Sequence, residues 1–417
     1  MNVIATIPIE DQAGPTTTGT VRIPRVSIGL FASTPAVREA MGAAAEDRRL
    51  ARAALCVEDG GITGAMSACA AGRGFDLLVV EAPDDPSHMF SELDRLSREC
   101  TRGTKVIVVG KTNDVALYRN LLSAGVSDYL VKPLRVSALV AGIARTYAAP
   151  EDVPAARVVS FMGARGGAGS STVCHNVAAA TGSTPTGRVF LVDLDLDFGT
   201  AGLDFNIDSP QGAREVLAAV DMLDEAMVER MSVQRSVGLH ILPAMARPQG
   251  PAVAGSDVER FLDVASESGG TLMLDLPNRW DSTTEAALKK SDEVVIVSTP
   301  DLAGMRNCKN LAETVKRLRP NDGAPRLVLN QVGIPRRPEV KSCEFSSAVQ
   351  LPLTCVIGFD AAAFGRAANN GKPLVEMAPR HPAAKELAAL AAALSNKSRT
   401  GAPTTTGSFL RRLGIRR

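Results

Sequence analysis

The sequence predicts an α/β protein built as two doubly wound parallel-sheet units with flexible termini. Three observations predict it. Apolar runs of strand length, rich in Val, Ile and Leu, alternate with stretches of helical spacing, the pattern of a parallel sheet covered on both faces. The length of 417 residues exceeds what one core serves at about 150 residues per domain. A segment with two prolines and two acids, APEDVPAAR at 149–157, divides the alternating pattern in two.

Residues 1–24, rich in Thr, Gly and Pro, are expected to form a mobile leader. The first unit is expected over 25–149, with strands at 26–32, 75–81, 104–110 and 129–133 and helices around 35–54 and 88–100. After a linker at 150–157, the second unit is expected over 158–394. Its strands read as VVSFMG (158–163), then 188–195, 239–244, 270–277, 293–300, 326–331 and 354–359. Helical spacing fills 171–181, 212–231, 256–268, 303–318 and 383–394. From 395 to 417 the chain reads as a flexible linker followed by a basic amphipathic tail.

Composition excludes several classes. Hydrophobic residues at 45% and charged residues at 22% fit a globular chain rather than a disordered one. No apolar run reaches the roughly 18 residues of a spanning helix. The N-terminus lacks the basic and apolar regions of a signal peptide. Seven cysteines without a Cys-x-x-Cys pair argue against a disulfide framework or a zinc ribbon. A cytoplasmic protein is expected. The net charge of +1 hides a partition. Six basic residues and no acid follow Ser395, which leaves 40 basic against 45 acidic side chains in the body, or −5.

The strand VVSFMG runs into GARGGAGSST (163–172) and then a helix, the context that a phosphate-binding loop requires. Glycines let backbone N–H groups converge on phosphate oxygens, and the helix N-terminus favours an anion. The strict GxxxxGK[ST] pattern fails, because Ala164 replaces its first Gly and Ser170 its Lys. Further on, Asp193, Asp195 and Asp197 emerge where a parallel strand ends, the place that faces a ligand crevice. LMLDLP (272–277) has the form of a Walker B strand, four apolar residues and then Asp275.

Taken in order, these motifs resemble the deviant phosphate-loop ATPases of the MinD/ParA superfamily. LVDLDLDFGTAGLDFNIDSPQG, GARGGAGSSTVCHNVA and GRAANNGKPL resemble the CpaE/TadZ branch, which serves assembly of Flp/Tad (type IVc) pili. The resemblance implies ATP and Mg²⁺ as cofactors and a nucleotide-dependent homodimer through the second unit. It implies that Gly166, Gly167, Ala168, Gly169, Ser170, Ser171 and Thr172 hold the nucleotide. Ser171 would coordinate Mg²⁺, Asp275 would hold the metal through water, and Asp193 or Asp197 would sit near it. Asp195 would orient the attacking water. Arg165, at the signature-lysine position, would reach the partner's phosphates. Asn330 would contact adenine or cap the next turn, and 358–374 would form the last base-and-interface loop. Without the Lys absent at Ser170, hydrolysis is expected to be slow or absent. A ParA-type DNA-partitioning ATPase and a pseudo-ATPase hub are the alternatives, and the acidic body makes DNA an unlikely partner.

The first unit, ending in Tyr129-Leu-Val-Lys132-Pro133, resembles a response-regulator receiver. Its third strand ends in Glu81 instead of an acceptor Asp, and Ala32-Ser33-Thr34 replaces the acidic pair that would hold Mg²⁺. The expectation is a pseudo-receiver that docks other proteins, with Glu81 and Lys132 as a static ion pair. The tail SFLRRLGIRR resembles the membrane-targeting end of MinD. As a helix it gathers Phe409, Leu410 and Leu413 on one face and turns Arg411 and Arg412 away. An anionic membrane surface, pilus components and a polar, peripheral location are the expected partners and place.

Overall fold

The computed structural model describes residues 23, 25–84, 88–101, 103–147, 155–185, 187–209, 211–245 and 250–395. The leader except Ile23, most of the linker, and the tail residues Phe409, Leu410, Arg411, Arg412 and Leu413 lie outside the described residues. Ile23 itself is buried in the core of the first sheet.

The first sheet contains β1 (Ser27–Ala32), β2 (Ala54–Asp59), β3 (Leu77–Glu81), β4 (Lys105–Gly110) and β5 (Asp128–Val131). All pair in parallel in the order β2-β1-β3-β4-β5. This is a doubly wound order whose crevice lies outside the carboxyl ends of β1 and β3. The helix expected over 35–54 is shorter. It runs Pro35–Ala45 and gives way to a 3-10 turn, Arg48–Leu50, that the Asp47 carboxylate starts by accepting from Arg49 N at 3.0 Å. β2 follows where helix was expected to end. It is an edge strand, half-buried along its length, so it lacks the continuous apolar run of its neighbours.

The second sheet contains β6 (Arg157–Gly163), β7 (Val189–Asp193), β8 (Val233–Ser236), β9 (Leu239–Leu242), β10 (Thr271–Asp275), β11 (Glu293–Ser298), β12 (Arg326–Val332) and β13 (Leu353–Gly358). Their order is β13-β12-β11-β6-β10-β7-β9-β8, parallel except for the β8–β9 hairpin. β6 lies in the interior with β10 and β11 on its two sides. The stretch expected as one helix over 212–231 is three short pieces, Ala213–Ala218, Val220–Met222 and Glu225–Met231. Asp224 restarts the chain by accepting from Met227 N at 2.7 Å. The loop expected at 358–374 is largely a helix, Ala361–Asn369. Cores lie on both faces of this sheet, and the helix Ser170–Gly182 is buried on most of its circumference.

The two units meet through charge. Arg48 donates to Asp322 at 2.8 Å and to Asp292 at 3.3 Å. Arg52 donates to Asp263 at 2.8 Å, and Asn321 to Asp47 at 3.1 Å. Asp292 immediately precedes β11, so these contacts sit at the amino ends of the second sheet's strands.

Candidate functional site

At the other end of β6 the chain forms the glycine loop. Gly169 adopts φ +83° and N-caps the helix Ser170–Gly182. A Cβ there would collide with the Asn330 amide, so glycine is required on two counts. Three amides brace the loop through its carbonyls. Asn278 donates to Gly163 O at 2.7 Å, Gln331 to Gly167 O at 2.8 Å and Asn330 to Ala168 O at 2.9 Å. With its carbonyls occupied, the loop holds a set shape over a helix start. The first-turn N–H groups at Ser170, Ser171 and Thr172 lack intrahelical partners, as at any such start. This arrangement suits an anion.

Beside the loop opens a cavity of about 380 Å³, lined among others by Gly169, Thr172, Asn330, Phe359, Phe364 and Pro373. The volume falls in the range of small-molecule sites. Asn330 therefore lines this cavity while one of its N–H groups is spent on the loop. Gln331 and Asn278 were not singled out from the sequence, whereas Phe359 and Phe364 fall within the segment 358–374 named there. A polar residue following Asn330 is a weak signal without the fold.

Arg165 does not point free. Its Nε donates to Thr299 Oγ1 at 3.0 Å and its Nη2 to Asp301 Oδ2 at 2.9 Å. Asp301 in turn caps the helix Leu302–Leu318 by accepting from Gly304 N at 2.8 Å. Nearby, Phe198, Leu302 and Trp280 are exposed large apolar side chains.

The acids divide by environment. Asp197 is paired by Arg279 at 2.6 Å and by Arg214. The hydrogen bond from Arg279, followed by the charges of both arginines, holds its carboxyl below the usual value. Asp195 is half-buried, accepts from Phe198 N at 3.3 Å, and burial raises it. Asp193 is fully buried and accepts from Asp195 N and Ala201 N, both at 3.1 Å. Burial, then the Asp275 charge beside it, pushes Asp193 up to about 7. Asp275 is also buried, and among the described residues neither of its oxygens has a hydrogen-bond partner.

His175 gave no signal in the sequence as part of this site. It is 1% exposed, with Nδ1 2.7 Å from Asp204 Oδ2 and Nε2 3.3 Å from Asp275 Oδ2. Burial alone would depress its pKa, but the carboxylates of Asp204 and Asp275 outweigh burial and push it up to about 10.

In the first sheet, the Glu81 carboxylate sits in a closed network. It accepts from Ser33 N at 2.6 Å, Thr34 N at 2.9 Å and Thr34 Oγ1 at 2.8 Å, and Lys132 Nζ lies at 2.6 Å. The static Glu81–Lys132 pair expected from the sequence is present.

No family model matches the chain. An uncharacterized protein of Mycobacterium tuberculosis is 27% identical over 220 residues, 52% of this chain and 61% of that protein. The chain thus spans about 61% of the length of the first curated relatives it matches. The septum site-determining protein MinD of Synechocystis is 25% identical over 230 residues, 52% of this chain and 82% of that protein. Among solved structures, a ParA family ATPase from Chlorobium tepidum is 24% identical, covering 58% of this chain and 99% of that one with a TM-score of 0.52. A putative CpaE2 pilus assembly protein from Sinorhizobium meliloti is 47% identical over 29% of this chain and 99% of its own, with a TM-score of 0.28. The chain has the MinD/ParA-like P-loop ATPase fold.

Proposed function

We propose that the chain is an ATP-binding localisation factor for Flp/Tad pilus assembly, dimerising through its second unit, with slow or absent hydrolysis. The observation that carries the nucleotide reading is the glycine loop. It is braced at three carbonyls, it opens on the first turn of a buried helix, and it shares Gly169 and Thr172 with the adjoining cavity. Phosphates would sit on the loop amides and the nucleoside in the cavity. Pilus assembly is supported by the sequence motifs that resemble the CpaE/TadZ branch.

Mg²⁺ fits the residues present. The Ser171 hydroxyl lies in the first helical turn, and among the described residues neither oxygen of the Asp275 carboxylate has a well-formed hydrogen bond. Ser171 would hold the ion directly, with Asp193 and Asp275 acting partly through water. Mg²⁺ would neutralise phosphate charge. Asp195 would orient the water that attacks the terminal phosphate. No lysine stands at Ser170 to stabilise charge developing there, and Arg165 is held by Thr299 and Asp301. Both features favour binding over turnover. The pseudo-receiver would dock pilus components, and two basic tails on one dimer would hold an anionic membrane better than one, through avidity.

The test is calorimetric titration of the full chain with ATP and Mg²⁺, beside a Gly169→Val variant. Saturable binding that the variant loses is expected. Equal binding by both proteins would sink the loop as the nucleotide site. Any turnover detected should disappear in Asp195→Ala.

A further inference from the structure

Beneath the glycine loop, three buried side chains from three elements converge. Asp193 ends β7 and Asp275 ends β10, and the two are direct partners in the register of that strand pair. His175 reaches them from the helix Ser170–Gly182. One ligand-capable atom from each of the three lies within 4.8 Å of the others. Among the described residues, His175 Nε2 and both oxygens of Asp275 are buried without a well-formed hydrogen bond, Nε2 and Oδ2 lying 3.3 Å apart. Buried polar atoms left unmatched are costly and rare, and these belong to two neighbouring groups, an imidazole and a carboxylate 3.3 Å apart.

The far side of the imidazole is arranged as well. Nδ1 lies 2.7 Å from Asp204 Oδ2, and Thr200 Oγ1 donates to the same oxygen at 3.2 Å. With Nδ1–H donating to this carboxylate, Nε2 would direct its lone pair at the acids once an ion displaces the second imidazole proton. Histidines that bind metals are oriented in this way. The 3.3 Å between Nε2 and Asp275 Oδ2 agrees with the roughly 3.0–3.4 Å between neighbouring donors around an ion with bonds of about 2.1 Å. Asp193 accepts two backbone N–H groups and keeps lone pairs to spare, since a carboxylate has about four acceptor positions.

We propose that His175 Nε2, Asp193 and Asp275 directly ligate a divalent first-row transition ion, with Asp204 as the positioning residue for His175. One imidazole and two carboxylates suit Mn²⁺, Fe²⁺, Co²⁺ or Zn²⁺. Mg²⁺ prefers oxygen ligands and retains its water. The ion would enter from the cavity, which both His175 and Asp204 line. It would tie β7, β10 and the helix Ser170–Gly182 together under the glycine loop. This site does not rest on the nucleotide reading, although it shares Asp193 and Asp275 with the water-separated Mg²⁺ of that reading.

The test uses the full chain, stripped with chelator and free of nucleotide, titrated calorimetrically with Zn²⁺, Co²⁺, Mn²⁺ and Mg²⁺. Visible absorption of the Co²⁺ form is recorded alongside. One tightly bound ion per chain is expected for Zn²⁺ and Co²⁺, with Mg²⁺ much weaker. H175Q should abolish the tight site, and D204N should weaken it roughly 10- to 100-fold. Circular dichroism of the metal-free variants checks their fold. If H175Q does not fold, the wild type and D204N decide the matter. A wild type that binds no transition ion, or affinity unchanged in H175Q or D204N, overturns the proposal; the first result leaves a proton as the occupant. ATP titration of the same preparation separates failure here from failure of the nucleotide site.

Discussion

Each sheet buries a carboxylate at the carboxyl end of an inner strand, and the two are treated in opposite ways. Glu81 and Asp275 are each 1% exposed. Glu81 accepts from two backbone N–H groups and a threonine hydroxyl and lies against the Lys132 ammonium. Asp275 has no well-formed hydrogen bond to either oxygen among the described residues and faces His175 Nε2 at 3.3 Å. The first is a finished network, with no acceptor capacity left for a metal or a phosphoryl group. The second is a sparse one, in which a single imidazole at 3.3 Å faces the carboxylate. Burial alone does not distinguish a structural acid from a binding one; the number of its satisfied oxygens does.

The largest predicted effect follows from that contrast. Glu81→Ala leaves two N–H groups unmatched and the Lys132 ammonium with only the longer Asp84 contact at 3.4 Å, and should cost about 3 kcal/mol, read from urea unfolding of the first unit. Asp275→Asn frees no backbone donor and loses one contact, His175 Nε2 at 3.3 Å, so it should cost less, about 1–3 kcal/mol in the nucleotide-free protein. Equal losses in the two variants would break the comparison.

Acid sharpens it. Burial raises the Glu81 carboxyl, but Lys132 and the Ser33 and Thr34 donors outweigh burial and hold it below its ordinary value. Its contribution is therefore complete above the unfolded value of about 4.3 and drains away as pH falls through the lowered folded value. The stability gap between wild type and Glu81→Gln should shrink over that window and be flat at neutral pH. A gap that widens in acid would show that Glu81 is not held as an anion.

Smaller effects belong to the loop. Asp301→Ala removes the cap of the helix Leu302–Leu318, at about 1 kcal/mol, and releases the Arg165 guanidinium. Sedimentation should then show more ATP-dependent dimer than in wild type. Gln331→Ala loses one brace of the glycine loop, about 0.5–1.5 kcal/mol. ATP affinity should fall by several-fold at most.

Strands inside the sheets were legible because a strand covered on both faces is written as an unbroken apolar run. β2 was not, since an edge strand that is half exposed mixes Glu58 and Asp59 into its apolar residues. The short hairpin strand β8, with polar Gln234 and Arg235, was missed for the same reason. In the site, the glycine loop could be read from strand, glycines and helix falling in order. The choice left open between Asp193 and Asp197 could not be made from spacing. In the fold Asp197 is paired with Arg279 and Arg214, while Asp193 is buried against Asp275. His175 was illegible because a lone histidine on an apolar helix has no local signature. What defines it is the company of Asp204 and Asp275, brought together only by folding.

The charged seam around Arg48 has a mechanical consequence. It grips the second sheet where its strands begin, whereas the glycine loop lies where β6 ends. The seven residues of β6 span roughly 20 Å at 3.3 Å per residue. A load hung on the first unit thus pulls along the strands, the direction in which covalent backbone is stiffest. The end that carries the glycine loop and the exposed Phe198, Trp280 and Leu302 stays clear of the tether.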